Sequence, residues 1–133
     1  MALSFHVGFD GRCEEAFNFY ARVLGGRIGT LVRAGEGAAV TPHGPPAGKV
    51  VHANIRIEDV ELAGGDAPPG HYTRPQGVHL LLGLPSEARV RACFDALQDG
   101  GEVVMAPQRT FWSPCYAIVV DRFGVPWKLN CGD

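Results

Sequence analysis

Apolar and polar residues alternate most clearly near the C-terminal end of the chain. Tyr116, Ile118 and Val120 alternate with Ala117 and Val119, a strand pattern rich in β-branched residues. Asp121-Arg122-Phe123-Gly124 then supplies turn chemistry, and Val125, Trp127 and Leu129 alternate with Pro126, Lys128 and Asn130. The pattern predicts two strands joined by a tight turn. At the other end, Phe5, Val7 and Phe9 alternate with His6 and Gly8, which predicts a strand over residues 3–9. Ala16, Phe19, Tyr20 and Val23 follow helical spacing and predict a helix over 13–24, closed by Gly25-Gly26. Further strands are predicted over 27–32, 50–57 and 60–65, the last two joined by a hairpin at Glu58-Asp59. The Gly/Pro-rich stretch 34–48 reads as a loop.

The order then begins again. A strand is predicted over 78–82 and a helix over 86–98, with Ser86 as N-cap and Val90, Cys93, Phe94 and Leu97 on one face. Gly100-Gly101 ends this helix as Gly25-Gly26 ends the first, and matching the pairs superimposes Phe19 on Phe94. A strand over 102–106 precedes the final hairpin. The chain therefore reads as one domain of two βαβββ modules, 1–66 and 77–133, with a proline-bearing linker over 66–76. That is an α+β fold in which each helix buries its stripe on one sheet face.

The faces opposite the apolar sets carry His6 in the first strand, Glu61 in the fourth, His79 in the fifth and Lys128 in the last. Two readings are open. These residues line one cavity, or they are solvated on open sheet faces, as antiparallel sheets allow. His52 reads as a strand residue rather than a ligand. Phe111 and Trp112, in the loop before the last hairpin, either cap a ligand or pack a rim.

Composition narrows the function classes. The 133 residues carry a formal net charge of −2, which argues against nucleic acid or an anionic membrane as a bulk electrostatic partner. No apolar run has the length of a membrane span, and no signal peptide opens the chain. Cys13, Cys93, Cys115 and Cys131 lack CxxC spacing and read as free thiols in a reducing cytoplasm.

DGRCEEAFNFYARVLGG at 10–26, HANIRIED at 52–59, and FDALQDGGEVVMAPQRTFW at 94–112 running into DRFGVPWKLN at 121–130 resemble PhnB-like proteins. These are a branch of the glyoxalase/bleomycin-resistance/extradiol-dioxygenase group, the vicinal-oxygen-chelate fold. The resemblance implies paired βαβββ modules forming a cupped mixed sheet, a homodimer and a ligand cavity in each cup. It also implies metal ligands on the first and fourth strand of each module. Carried over, these fall on Glu61 and His79, and on His6 with a one-residue register change from Phe5. The last ligand position, a carboxylate in the group, falls on Lys128, whose charge opposes a divalent cation. The methyltransferase label carried by many PhnB-like sequences finds no support, because no Gly-rich turn follows a strand inside a βαβ unit.

Three functions follow for comparison. The first is a glyoxalase-type lyase, isomerase or dioxygenase-like enzyme. In it Zn, Ni, Mn or Fe at His6, Glu61 and His79 polarises vicinal oxygens, and Glu61 and Lys128 take catalytic roles. The second is a metal-free protein binding a small organic molecule in a cup lined by His6, His79, Leu81, Tyr72, Phe111 and Trp112. The third is a structural dimer. The missing fourth ligand favours the second over the first, the histidines on matching strands favour the first, and the balance falls on a small-molecule-binding protein.

Overall fold

The computed structural model describes residues 1–35 and 44–132; residues 36–43 of the expected 34–48 loop lie outside the described residues. The chain forms two compact units, Met1–Thr73 and Arg74–Asp133. The first holds β1 (Phe5–Phe9), α1 (Cys13–Leu24), β2 (Arg27–Arg33), β3 (Val50–Ile57) and β4 (Val60–Asp66). The second holds β5 (Leu80–Leu84), α2 (Glu87–Gln98), β6 (Glu102–Gln108), β7 (Tyr116–Val120) and β8 (Pro126–Cys131). Each unit is one four-stranded mixed sheet with one helix. The strand orders are β1-β4-β3-β2 and β5-β8-β7-β6, with β1 parallel to β4 and β5 parallel to β8.

In the first module α1 packs on β2, β3 and β4. The helix buries Cys13, Ala16, Phe17, Phe19, Tyr20 and Leu24. Phe17 was absent from the expected stripe, yet it is fully buried, with its ring edge-to-face on Phe9 at 5.8 Å. The stripe is wider than the minimal i, i+3, i+4 template, and Val23 lies at its half-buried margin. Gly64 makes room for it, because a Cβ there would stand 2.8 Å from Phe17 Cζ. In the second module α2 buries the expected Val90, Cys93, Phe94 and Leu97, against Ala117, Val119, Trp127 and Leu129 of β7 and β8.

Two buried carboxylates hold the ends of these elements. Asp66, expected where the linker begins, instead ends β4. Its Oδ1 accepts from the Cys13 amide at 2.9 Å and its Oδ2 from the Val50 amide at 2.8 Å. The helix cap at Arg12 provides no side-chain hydrogen bond, so a carboxylate 53 residues away serves an orphan donor of the first turn. Asp121 does the same for the last hairpin. It accepts from the amides of Phe123 and Val125 at 2.9 and 3.0 Å and from Trp127 Nε1 at 2.9 Å. Gly124, at φ 86°, closes that turn.

Several boundaries differ from the pattern-based expectation. β1 starts at Phe5, and Leu3 is almost fully exposed. β6 continues to Gln108 through a register shift after Met105. β5 starts at Leu80, paired with Trp127, so Val78 and His79 precede the strand. The next residue along β8 is Pro126, which has no N–H with which to lengthen that ladder.

Replacing Asp121 by Ala leaves three buried donors without their acceptor. Urea unfolding should show a loss of about 3 kcal/mol or more, against a few tenths for an exposed control such as Asp95→Ala. Phe19→Ala and Phe94→Ala should each cost about 3–5 kcal/mol in the same measurement.

Candidate functional site

Strand register fixes which side chains share the sheet face opposite each helix, since residues directly paired lie on one face and alternate along each strand. In the first module one row across that face is His6, Ala63, Asn54 and Thr30. The adjacent row is Glu61, Arg56 and Arg27. His6 and Glu61 therefore share a face, on adjacent strands. Arg56 Nη2 lies 3.8 Å from Glu61 Oε2, with both side chains largely exposed.

This face contains an open pocket of ≈440 Å³, lined by Arg27, Asn54, Arg56, Glu58 and Glu61 with Gly25 and Gly29. Three features shape it. α1 ends at Gly25 in the left-handed region, φ 74°, which turns the chain into β2 without a side chain over the opening. A register shift between Ile28 and Thr30 bulges β2 at Gly29. The Thr30 amide then donates to Asn54 Oδ1 at 2.8 Å, which orients the Asn54 amide group.

In the second module the corresponding row is Leu81, Lys128, Ile118 and Met105. Leu81 is 65% exposed, while Lys128 and Ile118 are half-buried. The next row contains Asn130 and Tyr116. Trp112 packs edge-to-face on Tyr116 at 5.3 Å, and Phe111 on Trp112 at 4.7 Å, so the loop aromatics form a chain anchored on this face. The outermost ring, Phe111, is 97% exposed. His79 is exposed and lies one residue before β5. Tyr72 is half-buried in the segment after β4.

The structure thus brings His6 together with Glu61, and Leu81 together with Lys128. Within either module, among the described residues, no three His, Cys, Asp or Glu side chains are grouped to hold a metal ion. Module one alone offers two donors, one of them beside a guanidinium, and that set does not fit a metal by itself. Arg27, Asn54 and Arg56 escaped the reading of the sequence. The signal for two of them was present in the alternation of His52, Asn54 and Arg56 along β3, a polar face in which only His52 was weighed.

The four cysteines are free thiols. Burial pushes Cys13 up to about 12, with the charges of Asp66 and Glu14 adding to the shift. Burial also raises Cys93 and Cys115. None of the three is poised as a nucleophile.

Residues 5–129 match the Glyoxalase/Bleomycin resistance protein/Dioxygenase superfamily. The chain is 33% identical to protein YjdN of Escherichia coli K12, over 98% of this chain and 95% of that protein. It superimposes on protein PA1353 of Pseudomonas aeruginosa with a TM-score of 0.87 and 32% identity, covering 99% and 98% of the two chains. The PhnB protein of Bacillus cereus has the same fold, with a TM-score of 0.86, 22% identity and coverage of 99% and 100%. No helix among the described residues is long and apolar enough to cross a membrane.

The buried thiols predict an alkaline limit. Cys13 stays neutral in the fold to about 12 but ionises near its ordinary value of 9.0 when unfolded. Its contribution to stability is complete below pH 9 and is lost as pH rises towards 12. Denaturant titrations from pH 8 to 11 should show this fall reduced in Cys13→Ala. With a thiol reagent at pH 8, half-buried Cys131 should react first, and Cys13, Cys93 and Cys115 only on unfolding.

Proposed function

We propose, for a chain that belongs to the glyoxalase/bleomycin resistance protein/dioxygenase superfamily, that it binds a small organic molecule on the sheet faces opposite its helices. No catalytic step is assigned to it. The observation that carries this reading is the ≈440 Å³ pocket on the first module's face, where ionised and amide side chains from β2, β3 and β4 meet. The exposed aromatic chain of Phe111 and Trp112 on the second module supports it, because stacked rings offer area to an apolar or planar ligand body. His6, Tyr72, His79, Leu81 and Lys128 remain candidates for contact with that ligand.

Affinity selection tests the proposal. Untagged protein is incubated with the small-molecule fraction of a cell extract, desalted and denatured, and the released compounds are identified by mass. Wild type should retain at least one compound near stoichiometrically, and Arg27→Trp, which fills the pocket with a bulky ring, should lose it. Equal retention by both, or retention by neither, contradicts the reading.

A second reading, a metal-dependent enzyme using His6, Glu61 and His79, draws support from the shared face of His6 and Glu61. Calorimetric titration with Zn²⁺ and Mn²⁺ separates the two readings. Weak or absent uptake agrees with a metal-free binding protein, whereas tight stoichiometric uptake by wild type favours the enzyme. Self-association belongs to the same proposal, since among the described residues β2 and β6 stand at the ends of their sheets' strand orders, where an edge can pair with a second chain. Light scattering at micromolar concentration should give twice the chain mass, and a clean monomer would contradict it.

A further inference from the structure

We infer that the pocket of the first module is an oxyanion subsite, built by Arg27, Arg56 and the Asn54 amide for the carboxylate or phosphate group of a small ligand. The inference rests on the reading that this sheet face takes a small molecule, and it names the chemistry of that molecule.

Arg27 and Arg56 are direct cross-strand partners on one face of the antiparallel β2–β3 pair. Paired residues in such a ladder have Cα atoms roughly 4.5–5.5 Å apart. Two like charges held so close destabilise the sheet unless something negative lies between them. Glu61, the third residue of the row, stands beside Arg56 on the far side from Arg27, and reaches it only at 3.8 Å. Among the described residues Arg27 has no acidic partner. The row therefore runs positive, positive, negative from the sheet edge inward, and an oxyanion over the first two positions is the charge it lacks.

The neutral lining agrees. Asn54 Oδ1 is committed to the Thr30 amide, which leaves its Nδ2 with two donors and, among the described residues, no acceptor. Gly29 keeps that amide accessible, because a Cβ at this position would stand 2.6 Å from Asn54 Oδ1. Two guanidinium forks and an amide can together supply charge-assisted hydrogen bonds to one tetrahedral or planar oxyanion.

Glu58 and Glu61 also line the pocket, so its four ionised side chains sum to zero. An isolated dianion is therefore poorly matched. The better match is an oxyanion joined to a body that presents a hydrogen-bond donor towards Glu61. One to one and a half strand spacings place that hydroxyl or ammonium roughly 5–7 Å from the oxyanion. The ligand class is a small hydroxy- or amino-bearing carboxylic acid or phosphate ester.

Arginine side-chain NMR tests this directly. The Nε–H resonances of full-length protein are followed at constant ionic strength during titration with sodium 4-hydroxybutyrate, and separately with glycerol 3-phosphate, each of which joins an oxyanion to a hydroxyl. Saturable shifts confined to Arg27 and Arg56 are expected, with Arg91 and Arg122 unmoved. Saturation by the hydroxy acid only assigns a carboxylate group, and saturation by the phosphate ester assigns a phosphate group. Arg27→Gln and Arg56→Gln should each weaken the saturable binding by about tenfold or more. Uniform drift of all arginines, or no saturation with either anion, overturns the inference. The affinity-selection experiment distinguishes the two levels. A retained compound that both glutamine variants hold as well as wild type overturns the oxyanion subsite and leaves small-molecule binding standing. Retention of nothing overturns the broader reading.

Discussion

A four-stranded sheet has two faces, and each module of this protein has one helix to cover them. Twelve helical residues clothe one face with Phe17, Phe19, Tyr20 and Leu24 in the first module, and with Val90, Cys93, Phe94 and Leu97 in the second. Among the described residues no second helix covers the other face, and in the second module only the loop aromatics Phe111 and Trp112 reach it, through Tyr116. That shortage decides the character of the side chains there. On the helix side the central positions, such as Ala53, Ile55 and Leu62 or Ala117, Val119 and Leu129, are apolar and buried. On the opposite side β1, β3 and β4 present His6, Asn54, Arg56 and Glu61, and β5 and β8 present Leu81 and Lys128. The helix-covered face supplies the stability through apolar burial, which frees the other face from a packing role.

The rigid parts of each module stand close to this second face. Asp66 joins the end of β4 to the start of α1 and the start of β3, and Asp121 fixes the turn from which Lys128 projects seven residues later. Such carboxylates orient the backbone, so side chains mounted on regular strands keep a defined spacing across the face. The Arg27–Arg56–Glu61 row inherits its order from strand pairing alone. A slip of one residue in any of these three strands would send its member of the row to the helix side.

Much of this was legible in the sequence. The period-two and helical patterns give ten elements in the observed order, and the two Gly-Gly stops mark the repeat. The resemblance carried by 94–112 and 121–130 points to the superfamily to which the chain belongs. Boundaries were less legible because they depend on partners. β5 starts late because Pro126 on the adjacent strand cannot extend the ladder, and β4 runs on to Asp66 because that carboxylate is tied to residues far away in sequence. Phe17 falls outside a minimal helical template but within the wide stripe that a sheet buries. The candidate site was only partly legible. Period two places His6 and Glu61 on one face, but that Arg27 stands against Arg56 depends on a bulge at Gly29, and no local pattern encodes it.

The central proposal is that the face opposite the helix, together with the loop aromatics anchored on it, and not the helix face, is where this protein meets a small molecule. Amide chemical-shift mapping against a fragment library of small carboxylic acids, phosphate esters and aromatic compounds measures this most directly. The account predicts hits whose shifts concentrate on Arg27, Asn54, Arg56 and Glu61 in the first module, or on Leu81, Trp112, Ile118 and Lys128 in the second. Shifts concentrated on α1 and α2, or a library with no binder at either face, would contradict it.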